Sequence, residues 1–309
     1  MSAATRAMAA GWRWWRSAWV VLPLAAAGFA MAAGPVPDAA AAAAFEPIAA
    51  RAAAAKAASW PALLQQIATD PALLGAPYEA APLDRGSREA DEPLRASLDG
   101  FDCVTYVETV LALARTVARG PATATAYAAE LAALRYRDGE PGFCARYHYF
   151  SDWAETRQSA AVLDEVTVSV AGDPANLANL GLTHGFDYLS RHASATPALA
   201  QSPARLACVR EQERALSARD DGTPYIRSTS LPKIARALQS GDLIAWVADV
   251  PGLDVIHVGI VVTRPNGRLE LAQASKRAGQ VVVTPDLLRY AASLKQQRGV
   301  RIFRPRDPR

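Results

Sequence analysis

Cys103, His257 and Gln273 are the residues of this 309-residue chain whose types and settings suit acyl chemistry. Cys103 follows Asp102 and opens a run with apolar residues at Val104, Val107, Leu111 and Ala114. That three-four spacing is the pattern of an amphipathic helix. With Asp99 or Asp102 as N-cap, the thiol falls in the first turn. Backbone N–H groups and the helix dipole lower the pKa of a thiol placed there. The same N–H groups would meet an oxyanion formed at the sulfur. The competing reading is a buried structural cysteine, since free Cys is among the most buried residue types. A partner base has to decide between them.

His257 lies in the β-branched run 255–262, and the next such run, 269–273, ends in Gln273. With Arg264, Pro265 and Asn266 as a three-residue hairpin loop, Thr263 faces Gly267. Counting back then sets 261 against 269, 259 against 271 and 257 against 273. His257 and Gln273 become cross-strand neighbours with Cβ atoms roughly 5 Å apart. Another loop length would slide this register. A cysteine hydrolase needs a base for the thiol proton and a third polar group to orient that base. Gln273 can accept from one ring nitrogen and leave the other for sulfur. Gly259, on the same face, leaves room for a substrate. The plainer alternative is a satisfied histidine on a half-buried strand. The thiol at a helix start, the glycine-flanked imidazole and the facing amide together favour catalysis.

Positioning these groups takes a helical half and a β half. Residues 60–74 have helical periodicity broken by Pro71, the Cys103 helix runs to about Arg119 before Gly120-Pro121, and 122–134 repeats the helical pattern. Residues 162–170 read as a strand and 209–216 as a helix. From Asp242 onward short β-branched runs alternate with Gly, Pro and Asn turns. The chain therefore reads as α+β, with one domain over 59–309 preceded by an alanine-rich stretch over 34–58 that reads as a tether or a poorly specified helix.

Residues 1–33 read as a secretory signal peptide. Arg6, Arg13 and Arg16 precede an apolar run that closes on Ala30-Met31-Ala32, with no acidic residue. The apolar run is too short for a comfortable membrane span, so no stable span is expected after cleavage. The full chain has 33 basic and 30 acidic residues, and losing those three arginines leaves 30 of each. Such a neutral protein is not expected to bind nucleic acid. Export, to a periplasmic or external site, also bears on the three cysteines. A Cys144–Cys208 disulfide with Cys103 free is one division, and three reduced buried thiols the other.

Taken in order, Gly75-x-Pro77-Tyr78, Phe101-Asp102-Cys103, Ser240-Gly241-Asp242-Leu243-Ile244, His257-Val258-Gly259-Ile260 and Gln273-Ala274-Ser275 resemble the papain-like, NlpC-type cell-wall hydrolases. The fuller pattern adds Asp102-Cys103-Val104-Thr105-Tyr106-Val107-Glu108, Arg146-x-His148-Tyr149-x-x-Asp152-Trp153 and Gly252-Leu253-Asp254-Val255-x-His257-Val258-Gly259. It is similar to the N-acetylmuramoyl-L-alanine amidase-like branch, from about Gly75 to the C-terminus. The resemblance implies a papain-like α+β fold acting on peptidoglycan or muropeptides without a cofactor or metal. Cys103 would be nucleophile, His257 base and Gln273 the third polar group, with Tyr78 a hydroxyl at the oxyanion or substrate. Asp102 and Tyr106 are expected on the same substrate side. At position 273 relatives usually carry histidine, and an amide orients an imidazole without sharing its charge.

Against the minimal fold of that family, residues about 139–225 are an insertion expected to wall the cleft. Arg146, His148 and Asp152 are spaced to share one turn, either recognising a carboxylate or sugar or bracing the insertion. His184 and His192 read as structural. A stem-peptide endopeptidase cutting after γ-D-Glu and a non-catalytic peptidoglycan-binding module are the alternatives within this fold. A zinc amidase lacks support, since there is no His-Glu-x-x-His and the four histidines are scattered.

Overall fold

A computed structural model describes residues 37, 39–84, 92–181, 185–219 and 222–309. The expected signal peptide and His184 lie outside the described residues. Eight strands form one antiparallel sheet: β1 (Leu163–Glu165), β2 (Leu177–Asn179), β3 (Pro224–Arg227), β4 (Leu243–Ala248), β5 (Val255–Thr263), β6 (Leu269–Ser275), β7 (Gln280–Thr284) and β8 (Gln297–Pro305). Their order is β2-β3-β8-β4-β5-β6-β7, with β1 on β8. Every residue of β4 is buried, which suits its unbroken apolar run at the centre of a sheet covered on both faces.

One face carries four helices: α1 (Ala39–Ala55), α2 (Trp60–Ala68), α3 (Cys103–Arg119) and α4 (Ala124–Arg135). α3 is central, with every residue from Thr105 to Thr116 buried. Its one buried acid, Glu108, takes a 2.7 Å bond from Arg135 of α4, which keeps the charge paired in the core. The other face is covered more thinly. Ile244, Trp246, Val261, Leu271 and Ile302 pack there against Leu231, Ile234 and Leu287 from short helices.

Three sequence expectations change here. The alanine-rich stretch is no tether from Ala39 on. Ala41, Phe45, Ile48, Ala49 and Ala52 form a buried stripe along α1, with Phe45 stacked on Tyr127 at 5.5 Å. Small residues let this helix lie close to its neighbours, and only the two bulky ones betray the stripe. The segment 162–170 is a strand only over β1 and then turns into a short helix, Thr167–Ala171. The insertion does more than wall a cleft, because β1, β2 and the start of β3 lie in it and extend the sheet. The Cys144–Cys208 disulfide closes it, with Cα atoms 5.7 Å apart, and Cys103 stays free.

The insertion is latched to the strand that carries His257. Asp254, just before β5, accepts at 2.6 Å from the N–H of Ser151 in α5 (Phe150–Ser159), capping that helix from outside. Arg301 of β8 completes the latch, donating to Ser151 Oγ at 2.9 Å and pairing with Glu165.

The hairpin between β5 and β6 turns on five residues, 264–268, not three. Arg264 N–H donates to Arg268 O and Gly267 N–H to Arg264 O. Thr263 therefore pairs with Leu269 and Ile260 with Ala272, two positions from the expected register. A slip of two preserves the face each side chain occupies, since alternation has period two. His257 and Gln273 become diagonal neighbours, still within reach of long side chains.

Candidate active site

α3 begins at Cys103 because Asp102 and Thr105 cap it reciprocally. Thr105 N–H donates to Asp102 Oδ1 at 2.7 Å, and Asp102 N–H donates to Thr105 Oγ1 at 3.0 Å. The thiol is thus the first side chain of the helix. The N–H groups of Cys103 and Val104 act on the sulfur, and so does that of Val258 in β5. The β5–β6 ladder ends at Ile260 and Ala272, which leaves the Val258 N–H free for this contact. The start of α3 and the strand bearing His257 therefore meet at the sulfur.

Those N–H groups favour the thiolate, as expected of a helix start, but they do not win. Burial, followed by the Asp102 carboxylate, pushes the Cys103 thiol up to about 12. Burial thus favours the protonated thiol, contrary to the lowered pKa expected from the helix alone.

Gln273 is fully buried and held at both ends. Its Nε2 donates to Thr284 Oγ1 at 2.8 Å, and its Oε1 lies 2.5 Å from His257 Nε2. An amide oxygen only accepts, so Nε2 of the imidazole carries its proton and Nδ1 is left as the basic nitrogen. Burial pulls His257 down to about 4, with the Gln273 bond acting the other way. The ring packs beside Trp246 and Tyr290, at centroid distances of 5.5 and 6.0 Å.

The segment around Tyr78 is pinned between the β6–β7 hairpin and the residues before α3. Tyr78 N–H donates to Gly279 O at 2.8 Å, and Phe101 N–H to Pro77 O at 3.0 Å. Burial, then the nearby Cys103 and Asp102 charges, push the Tyr78 phenol up to about 12. It stays a hydroxyl donor within electrostatic reach of the sulfur.

The other expected site residues play different parts. Tyr106 is fully buried and donates to Ala68 O at 2.6 Å, tying α3 to α2 away from any substrate. Asp102 spends its carboxylate on the helix cap and touches the chemistry only through its charge. Arg146, His148 and Asp152 form no common cluster, because α5 starts only at Phe150 and helical spacing does not apply before it. Arg146 pairs with Asp84 at 2.7 Å and lies 3.5 Å from Glu92; His148 Nε2 meets Phe143 O at 2.8 Å; Asp152 pairs with Arg137 and Arg219. These contacts brace the insertion. His192 is exposed, with Nδ1 on Tyr188 O. Gly259 makes room for packing rather than substrate, since a Cβ there would stand 2.7 Å from Leu271 Cδ1.

Sequence reasoning missed Thr284, Trp246, Tyr290 and the Val258 N–H. Thr284 faces Leu271 across the β6–β7 ladder, diagonal to Gln273, and the correct register would have found it. Nothing in the local pattern marks Tyr290, which arrives on a short helix, Leu287–Ser293. Among the described residues no three of His, Cys, Asp and Glu converge as metal ligands, and no helix is long and apolar enough to cross a membrane.

An antiparallel sheet with helices on both faces defines an α+β protein, and Cys103, His257 and Gln273 are its candidate groups for acyl chemistry. The family model described as N-acetylmuramoyl-L-alanine amidase-like matches residues 68–300, and the chain belongs to that family. A crystal structure of an N-acetylmuramoyl-L-alanine amidase from Bacteroides uniformis is 30% identical, with a TM-score of 0.66 over 79% of this chain and 97% of that one. A Bacteroides fragilis protein described as a candidate xylanase is 31% identical, with a TM-score of 0.64 over 75% and 96%. A Legionella pneumophila protein at 22% identity and TM-score 0.64 shares the fold, covering 85% and 94%. No curated protein matches the chain.

Proposed function

We propose that this protein is an exported cysteine amidase of the papain-like, NlpC type that hydrolyses the bond between the muramoyl lactyl group and L-alanine in peptidoglycan. Family membership supports the amide substrate. The observation that carries the cysteine mechanism is a free Cys103 at the capped start of α3, packed against the core cluster that includes Val258, the neighbour of His257 on β5. The export reading rests on the arginine-flanked apolar N-terminus and the Cys144–Cys208 disulfide.

The thiol attacks the carbonyl as His257 Nδ1 takes its proton, so charge develops only as the carbon–sulfur bond forms. The oxyanion is met by the N–H of Cys103 and the Tyr78 hydroxyl. The imidazolium then protonates the leaving amine, and a thioester remains on Cys103. Water attacks that thioester with His257 again as base, releasing the acid and restoring the thiol. Gln273 holds the working tautomer throughout.

Mass spectrometry of digested muropeptides tests this directly. New lactyl acid and free L-alanine amino ends are expected with wild type and not with Cys103→Ala. Ends after γ-D-Glu would select a stem-peptide endopeptidase. Activity should survive a chelator and be lost on thiol alkylation; the reverse pattern would point to zinc. A binding module without turnover is the second reading, favoured by the raised thiol pKa. Retention on sacculi with no released fragment would establish it.

A further inference from the structure

A hollow of about 420 Å³ opens on the outer side of Thr284 and Tyr290, away from Cys103 and His257, neither of which lines it. Its lining includes Thr284 and Tyr290, the groups that hold Gln273 and flank His257. Arg277, in the β6–β7 turn, and Arg289, on the helix Leu287–Ser293, line it as well. Both arginines are exposed, and among the described residues neither has a carboxylate partner. The one acid in the lining, Asp286, turns its carboxylate to the N–H of Arg289 at 2.9 Å as a helix cap. Ser293 adds a hydroxyl, bound to Tyr290 O at 2.7 Å. The volume suits a short peptide portion rather than a whole disaccharide chain.

The three arginines that line the larger cavity of this protein are consumed. Arg137 and Arg219 beside the larger cavity of about 820 Å³ share Asp152, and Arg157 bonds to Ala133 O and Tyr147 Oη. Arg277 and Arg289 are two cations without an internal task, set around a hollow that shares walls with the catalytic groups. Arg277 is near enough to Tyr290 to lower the pKa that burial raises there, so its charge is felt at the wall next to the base.

Direction of cleavage says what would lie there. His257 must protonate the leaving amine, so the leaving half of the substrate lies on the imidazole side of the sulfur. In a muramoyl–L-alanine amide that half is the stem peptide, which carries free carboxylates. Two guanidinium forks beside hydroxyls suit a carboxylate better than a neutral sugar.

We infer that Arg277 and Arg289 form a subsite for a free carboxylate of the stem peptide, on the leaving-group side of the scissile bond. This rests on the amidase reading for its direction. The subsite selects acidic stem peptides over amidated ones.

Calorimetric titration of the inert Cys103→Ala protein separates the two ideas, because it needs no turnover. The probes are N-acetylmuramoyl-L-alanyl-D-glutamate and the same molecule with both glutamate carboxyls amidated. The free acid should bind about tenfold to a hundredfold more tightly, the worth of one or two charged hydrogen bonds. In Cys103→Ala with Arg277→Gln and Arg289→Gln the ratio of the two affinities should fall toward one. A structural role for the arginines would weaken both probes alike and leave the ratio unchanged, which overturns the subsite. Equal binding of the two probes by the parent, or binding of neither, overturns it also. Muropeptide cleavage by wild type with an unchanged ratio would leave the amidase standing without the subsite.

Discussion

Alkylation of Cys103 by iodoacetamide, followed by intact mass from about pH 5 to about pH 11, reads where the proton of the resting site sits. The thiol stands at about 12 and the imidazole at about 4, so taken singly they hold the proton on sulfur by about eight powers of ten. Mutual attraction cuts into this. Were the thiolate and imidazolium in contact at about 4 Å, they would gain about 4 kcal/mol at an effective dielectric constant near 20, about three powers of ten. Roughly five remain, and the neutral pair wins. Alkylation at about pH 7 should run at least a hundredfold slower than that of a free cysteine, and climb without a plateau beyond about pH 10. Asp102→Asn keeps an equally good helix cap and removes the carboxylate that opposes the thiolate. It should speed alkylation about tenfold. The acid limb of kcat/KM should fall near pH 4 to 5, where His257 gains its proton, and not near the ordinary histidine value. Alkylation with a plateau reached below about pH 7 would mean a resting thiolate–imidazolium pair, and the charge accounting above would be wrong.

Burial depresses His257 from an ordinary value near 6.5 to about 4, so the unfolded chain binds this proton first. Its contribution to stability is present above about pH 6.5 and lost as pH falls toward 4, by no more than about 3 kcal/mol. Denaturant titrations at about pH 7 and pH 4.5 should show wild type losing more than His257→Gln over that window, and equal losses would contradict it. Arg135→Met strands the Glu108 carboxylate inside the core and should cost about 3 to 5 kcal/mol in the same titration at neutral pH. Phe45→Ala separates a packed α1 from a tether: about 3 kcal/mol or more is expected for the first and almost nothing for the second. Thr284→Val removes the acceptor for the Gln273 amide; kcat should drop about tenfold while KM holds, and an unchanged kcat would remove Thr284 from the positioning chain.

Legibility in the sequence followed how local the determining physics is. The boundaries of α3 were readable because a cap, a helical stripe and a Gly-Pro stop lie within one continuous stretch. The strands after Asp242 were readable as β-branched runs between turns, and β5 extends the run around His257 by one residue, to Thr263. The hairpin register was not, because Arg264, Pro265 and Asn266 fit a short loop as well as part of a five-residue one. His257 and Gln273 were still paired correctly, since an even slip leaves both on the same face. The cluster around Arg146 failed for a different reason. Its partners Asp84, Glu92, Arg137 and Arg219 come from distant stretches, and spacing within one segment cannot foresee them. Tyr290 was invisible on the same ground, reaching His257 across 32 intervening positions from a helix with no motif of its own.

The amide at position 273 and the protonated thiol belong to one electrostatic arrangement. A carboxylate or a second imidazole beside His257 would favour the imidazolium and draw the thiol proton across before substrate arrives. Gln273 carries no charge, and in a fully buried position it orients the ring while its hydrogen bond favours the cation less than burial opposes it. Asp102 acts in the same sense from the other side, disfavouring the thiolate while capping the helix that presents it. In the mechanism proposed above, charge then appears only along the reaction path, with the Cys103 N–H and the Tyr78 hydroxyl to meet it. Oxidation of a thiol follows its thiolate character, so the raised pKa of Cys103 predicts a free thiol slow to oxidise in a chain whose Cys144 and Cys208 are already joined.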